Sequence, residues 1–272
     1  MIIDTHAHLF PDELAPKVVS ELVHRPKDVR NYTDGTKKGL LASMKKAGID
    51  YTLVLPICAK PTQFDSINRF AAELNGKDGI LSFGSVHPDC ENVKEKLLYI
   101  RSLGLKGIKL HPTYQGTYID DPRYVDIIRT AIELDLLVVI HAGVDAGIPT
   151  PVYCPPVRIA HMLDLVYAKQ HPTKAHIILA HVGGLDMYDE VERCLVGRNI
   201  YFDLSFSLGK IGTVQLLRII QDHGADRILF ASDSPFVDQS DYLKVFDALP
   251  LFDDERELIL FKNAAGLLGI EV

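Results

Sequence analysis

The sequence predicts a closed (β/α)8 TIM barrel that takes up residues 1–272 as a single domain. Three observations predict it. Apolar runs recur eight times, each followed by a polar or glycine-containing turn and then a stretch of helical period. Two of these runs, Leu136–Ile140 and His176–Ala180, are apolar at nearly every position, as strands covered on both faces of a parallel sheet are. The length, 272 residues, matches the roughly 250 that such a barrel commonly needs. A doubly wound open sheet is the competing architecture. It calls for a glycine-rich phosphate turn after the first strand, and that position holds His6-Ala7-His8.

In chain order, the runs read as strands are Met1–Phe10, Tyr51–Ile57, Ile80–His87, Leu105–His111, Leu136–His141, Ala175–His181, Ile200–Ser205 and Arg227–Asp233. Between them, 35–47 sets Leu40, Leu41 and Met44 at helical spacing. Residues 61–75 do the same with Phe64, Ile67, Phe70, Ala71 and Leu74. Residues 92–103 and 122–134 repeat the pattern, each opening near an acidic or proline start signal. Gly48, Gly76, Gly104 and Asn199 are expected to close helices, and an amphipathic helix over 253–268 to close the barrel. The longer connections, 112–121 and 144–156, are candidate lids over its mouth.

Composition narrows the partners. A net charge of −7 without a basic stripe argues against nucleic acid, because phosphates would find nothing to neutralise them. Cys58, Cys90, Cys154 and Cys194 are too scattered for a disulfide framework or a zinc knuckle and read as free thiols of a reducing compartment. No apolar run reaches membrane-spanning length, and the first strand starts at Ile2, so no leader is expected. The expectation is a cytoplasmic enzyme acting on a small molecule. A homodimer is left open, since a barrel's outer helices hide partner faces among ordinary amphipathic ones.

Function in such a barrel belongs at the C-terminal ends of the strands. Six of the eleven histidines fall there: His6, His8, His87, His111, His141 and His181. Asp233 ends the eighth strand, and Lys109 shares a face with His111. His24, His171 and His223 read as solvated helix residues, and His161 as a helix-face residue. In Asp4-Thr5-His6-Ala7-His8, alternation puts both imidazoles on one face, roughly 7 Å apart along the strand, with Asp4 behind them. Three imidazoles and a carboxylate at the mouth make a nitrogen/oxygen site suited to zinc, manganese or iron(II), with positions left for water. Such a metal lowers the pKa of bound water to about 7. Asp233 could bind through one oxygen and accept the water's proton with the other, while His181 orients the water or polarises the substrate. The structural alternatives are Asp233 as a strand-end cap and His181 as a satisfied core histidine.

The ordered motifs Asp-Thr-His-Ala-His, Ile-His-Ala-Gly, His-Val-Gly-Gly and Ser-Asp-Ser-Pro, ending at Pro235, resemble the amidohydrolase superfamily. Within it they resemble the amidohydrolase-2 branch that includes aminocarboxymuconate-semialdehyde decarboxylase. The resemblance spans the whole chain. It implies the closed barrel and one divalent metal, zinc before manganese or iron, on His6, His8, His141 and Asp233. His181 would be the acid/base beside it. Binuclear members of the superfamily bridge two metals with a carboxylated lysine at the end of strand four, about where Lys109 stands. In that case Lys109 and His181 would both be ligands. Otherwise Lys109 is a cation for a substrate carboxylate.

The first functional reading is a hydrolase, in which metal-bound hydroxide attacks the amide, lactone or ester carbonyl of a small anionic substrate. Asp233 and His181 would be its catalytic residues. The alternative is a non-oxidative carboxy-lyase of an unsaturated or aromatic carboxylic acid. A non-catalytic metal-binding barrel is the third. Candidate substrate contacts are Lys60, Lys109, His111, Tyr114 and Arg158, with Tyr118 and Phe236 on the same loops.

Overall fold

The first strand carries an irregularity that sets up the whole site. In the computed structural model, which describes residues 1–24, 29–168 and 173–271, strand β1 (Ile3–Ala7) pairs in parallel with β2 (Tyr51–Val54). Asp4 faces Thr52 and Ala7 faces Val54, so β1 spends three steps where β2 spends two. A bulge of this kind re-aims side chains. Ile3 packs with the inner core and Ala7 with the outer layer, while His6 and His8 turn to the barrel mouth. Asp4 does not join them. Its carboxylate accepts from the Ser232 amide and hydroxyl and from Gln239 Nε2 at 2.7 Å, which ties β1 to the last strand.

The remaining strands follow in sequence order, all parallel. They are β3 in two pieces (Ile80–Ser82 and Gly84–Ser85), β4 (Gly107–Leu110), β5 (Leu137–Ile140), β6 (Ile177–Leu179), β7 (Tyr201–Asp203) and β8 (Ile228–Leu229). The ring closes where Thr5 N donates to Phe230 O at 3.0 Å and Asp233 N to His6 O at 2.8 Å. That closure excludes the open sheet. At the break in β3 a helix side chain takes over as strand neighbour. The Asn68 amide accepts from Ser85 N and donates to Ser85 O, both at 2.9 Å, so the interrupted backbone stays satisfied.

Alternation along the strands sorts the apolar residues into two layers. Ile3, Leu53, Phe83, Leu137, Val139, Ile178 and Leu229 fill the barrel, stoppered below by Ala264, Ala265 and Leu268. Ile108, Leu110, Val138, Ile140, Ile177, Leu179 and Phe202 face the helices outside. These are α1 (Ala15–His24), α2 (Lys37–Ala47), α3 (Phe64–Leu74), α4 (Val93–Ser102), the short α5 (Pro112–Gln115), α6 (Pro122–Glu133), α7 (Pro156–Tyr167), α8 (Tyr188–Cys194), α9 (Thr213–His223) and α10 (Gln239–Asp247). Side-chain caps start several of them. Thr36 accepts from Gly39 N at 3.0 Å, and Asp121, just before Pro122, accepts from Arg123 N at 3.0 Å. Gly48 and Gly104 leave their helices in the left-handed region, as expected of C-terminal glycines.

The structure corrects four local expectations. Helix α1 was not anticipated between the first strand and residue 35. Asn199 does not close α8, which ends at Cys194 with Leu195 as its C-cap. The terminal amphipathic helix runs unbroken over 253–268 as expected but is not uniformly α, since a π-turn over Leu258–Lys262 joins Asp253–Glu257 to Asn263–Leu268. His223 is buried, not solvated: its ring stacks on Phe202, Nε2 donates to Ile200 O at 2.9 Å and Nδ1 accepts from Gly197 N at 3.0 Å. His161 is exposed and paired to Asp120. His171 and the side chain of His24 lie outside the described residues. Among the described residues, no helix is long and apolar enough to cross a membrane.

Candidate active site

Each histidine at the barrel mouth has one nitrogen committed to a protein group, and that commitment fixes what the other can do. His6 Nδ1 donates to Asp203 Oδ2 at 2.8 Å, and His8 Nδ1 donates to the Leu55 carbonyl at 2.9 Å. Both Nε2 atoms therefore carry lone pairs. They lie 3.3 Å apart, and Asp233 Oδ1 is 3.5 Å from the first and 3.3 Å from the second. Three acceptors converge on one point. Asp233 Oδ1 has no sound hydrogen-bond donor although it is buried. Such a set repels itself unless a cation sits among the three, so the residues fit a divalent metal.

The same logic runs through the next pair. His181 Nδ1 donates to Ser205 O at 2.9 Å, which leaves its Nε2 to accept from His141 Nδ1 at 3.0 Å. His141 Nε2 is then a buried lone pair without a partner. The nearest metal-type grouping for that nitrogen is with His111 and Asp145, whereas His6, His8 and Asp233 form a separate trio. The structure thus brings three of the four expected ligands tightly together and sets the fourth, His141, to the side with its Nε2 unpaired. His111 lies flat between Tyr114 and His141, with ring centroids 4.0 and 4.1 Å away. Its Nε2 is 3.6 Å from Asp145.

Tight turns aim these groups. His181 and Val182 both have positive φ, 59° and 55°, a conformation that costs a β-branched residue about 1–2 kcal/mol. Gly183 follows at φ 79°, where a Cβ would come within 2.6 Å of the Phe202 ring. Asp233, at φ 76°, is pinned by its amide to His6 O. Strain stored at strand ends in this way is a mark of functional sites.

Electrostatics follow from burial. Desolvation, with Lys109 close by, pushes His6 down to about 4, and His111 and His141 are pushed well below the usual range, so all three rings are neutral. Burial opposes charge on Asp203, but His6 and its other donors outweigh it and hold the carboxyl at about 2. Burial opposes charge on Asp233 too, but the imidazoles of His8, His6 and His181 around it outweigh that and hold it low. Lys109, only 1 % exposed, has its ammonium 3.2 Å from His6 Nε2, and desolvation lowers it to about 8.

Two residues central to this arrangement were not singled out in the sequence. Asp203 orients His6 through Oδ2, while its Oδ1 accepts from His181 N at 3.1 Å, Ser205 N at 3.0 Å and the Ser205 hydroxyl. It ends β7, two residues before the close of the seventh apolar run, so a search for carboxylates near run ends and not only at them could have found it. Asp145 is the second. It sits on the fifth strand's loop, with Oδ1 held by the amides of Gly147 and Ile148.

Above the mouth lies a cavity of about 610 Å³ that includes His6, His8, His141, His181, Asp233, Lys109, His111, Tyr114 and Phe236. Lys60 and Arg158 are not part of it. Lys60 is exposed at the start of the Pro61–Gln63 turn. Arg158 reaches outward to Asp120 at 2.7 Å and covers the Tyr118 ring. Their cationic character suggested anion binding, but Arg158 is paired to Asp120 and Lys60 points to solvent, both away from the cavity. His87 also stays outside and braces its own loop, accepting from Asp89 N at 3.0 Å. Of the two candidate lids, 112–121 contributes Thr113 and Tyr114 and 144–156 contributes Asp145 to Ile148 as side wall, joined by Ile119 N donating to Tyr153 O at 3.1 Å. Leu14, just before α1, and Val18 and Leu22 within it add further apolar wall.

Solved structures with the same fold cover nearly all of the chain. A 2,6-dihydroxybenzoate decarboxylase in complex with 2,6-dihydroxybenzoate is 21% identical, with 99% of each chain covered and a TM-score of 0.72. The 5-carboxyvanillate decarboxylase of Sphingomonas paucimobilis is 15% identical, with 99% of each chain covered and a TM-score of 0.71. A dihydroxybenzoic acid decarboxylase of Polaromonas sp. JS666, with bound manganese and the inhibitor 2-nitroresorcinol, is 18% identical over 99% of this chain and 97% of its own, with a TM-score of 0.69. No curated protein matches the chain. The amidohydrolase family model matches residues 3–270, and with the barrel and its histidine-rich mouth in place the chain belongs to that family.

Proposed function

We propose that this protein is a metal-dependent carboxy-lyase that removes carbon dioxide from an aromatic or unsaturated carboxylic acid. The observation that carries the reading is the make-up of the cavity: among the described residues it holds one lysine or arginine, Lys109, next to the converged acceptors, and its remaining wall is largely apolar. A carboxylate entering such a space leaves water behind and gains one ammonium, and loss of neutral carbon dioxide removes the buried charge. The three decarboxylases of the same fold support it. It takes precedence over the hydrolase expected first from the sequence.

His6, His8 and Asp233, with His141 from the side, would hold the divalent ion, zinc or manganese. When bound, the ion supplies a Lewis-acid charge that anchors the substrate's oxygens. Lys109 pairs with the substrate carboxylate. The ring or chain carbon takes a proton as its bond to the carboxylate breaks, so that R–COO⁻ and H⁺ give R–H and carbon dioxide. His181 and Asp233 are assigned that proton transfer: His181 Nε2 takes up a proton from solvent and hands it to the carbon, and the ionised Asp233 stabilises the imidazolium formed in between. His181 is oriented for it by Ser205, and its Nε2 is held toward the cavity by His141. That His141–His181 hydrogen bond also supports one metal over two, because a second metal would need the His181 nitrogen it uses.

The test is turnover of the metal-loaded protein on 2,6-dihydroxybenzoate, 5-carboxyvanillate and a panel of lactones, esters and amides. Carbon dioxide released in step with the decarboxylated product is expected. Opening of a lactone, ester or amide, with no carbon dioxide from any acid, would refute the reading. One observation favours that hydrolytic alternative: Lys109, with its ammonium lowered to about 8 at the end of β4, is a lysine ready for carboxylation.

A further inference from the structure

The cavity is far larger than a single ring requires. About 150 Å³ accommodates benzene, and this cavity holds about 610 Å³. Beyond the metal-type residues, its lining includes apolar side chains from two helices, Val18 and Leu22 of α1 with Leu14 just before it, and Ile67 and Phe70 of α3. Leu14, Val18 and Leu22 recur at i, i+4 and i+8, which makes one stripe, while Ala15 and Val19 on the neighbouring stripe are buried against the protein. The helix is therefore apolar on two sides. Leu14 remains 52% exposed, and Val18, Leu22, Ile67 and Phe70 are each half-buried. Apolar surface in a concave wall, continuous with a polar floor, calls for an apolar ligand.

We propose that the space between α1 and α3 is a subsite for an extended apolar substituent of the substrate, an alkyl or aryl tail of several carbons carried opposite the carboxylate. This rests on the carboxy-lyase reading for the head of the substrate and adds the class of its tail. The floor takes the charged end through Lys109 and the divalent ion that the converged acceptors would hold. The tail occupies the remaining volume and covers Leu14, Val18, Ile67 and Phe70. A small dihydroxybenzoate would leave that surface wet.

The test uses two series of probes on the metal-loaded protein: benzoate with its 4-butyl and 4-hexyl derivatives, and phenol with the same chains. Dissociation constants are measured by titration calorimetry. Each buried methylene should tighten binding about fourfold until the subsite is full, in both series. Val18→Asp and Ile67→Asp, on separate helices and each checked for folding by circular dichroism, should flatten the dependence on chain length. Equal affinity for benzoate and its 4-hexyl derivative would overturn the proposal. So would a gain with chain length that survives both variants. The head is read separately. A chain-length gain that is the same for benzoates and phenols, with no preference for the carboxylate, supports the subsite and counts against the carboxy-lyase reading.

Discussion

Replacing Asp203 with asparagine removes a charge and an acceptor from beneath the proposed metal site while changing almost no volume. The carboxylate receives four hydrogen bonds: His6 Nδ1 on Oδ2, and the amides of His181 and Ser205 with the Ser205 hydroxyl on Oδ1. An asparagine has one acceptor oxygen. Whichever way it turns, its NH2 faces a donor, either His6 Nδ1–H or the two amides. If His6 is the group left facing NH2, its proton moves to Nε2 and the lone pair aimed at the metal is lost. If the amides are left, two buried donors go unpaired at about 1–3 kcal/mol each, and the turn carrying His181 loosens. Loss of such an orienting carboxylate typically weakens metal binding by about 10–100-fold. Competition with a chromophoric chelator measures it, for zinc and manganese separately, alongside thermal melting of the metal-free protein. Affinity within twofold of the parent, for both metals, would refute the account of tautomer control.

Other outcomes follow from the same geometry. Lys109→Met should lower kcat/KM for a carboxylate substrate about 10–100-fold by removing a buried ionic partner, and unchanged kcat/KM would sink its assigned role. Lys60→Ala and Arg158→Ala should leave turnover within about twofold, since both lie outside the cavity; a tenfold loss in steady-state rates would return them to the site. His223 is depressed to about 4 by burial, below the 6.5 of an unfolded chain, so its contribution is complete above pH 6.5 and is lost as pH falls toward 4. Denaturant titrations across that window should show stability falling about 3 kcal/mol more steeply in the parent than in His223→Phe, and parallel curves would refute this.

The strand-end rule made much of the site legible, because in a parallel barrel the end of a run is a place in space. His6, His8, His141, His181, Lys109 and Asp233 all reach one mouth for that reason. What stayed hidden depended on direction and register. The bulge in β1, which separates Asp4 from His6, has no signature in a five-residue motif. Lys60 is expected on a loop over the mouth and Arg158 beside it, but only the fold shows that Arg158 sits in the first turn of α7 and faces Asp120. Helix α1 was obscured because its apolar residues occupy two stripes, one for the barrel and one for the cavity, which blurs a single amphipathic face. His223 reads as polar on a helix, and only the neighbouring strand supplies the Phe202 ring and Ile200 carbonyl that bury it.

The Asn68 amide that stands in for a strand neighbour has a mechanical consequence. It sits one residue from Ile67 and two from Phe70, so the α3 side of the cavity is riveted to the barrel by directional hydrogen bonds at Ser85. Across the gap, α1 rests on Ala15 and Val19, whose apolar contacts have no preferred direction. The α3 wall is thus the fixed jaw of the cavity, the datum against which guests of different girth would be gauged.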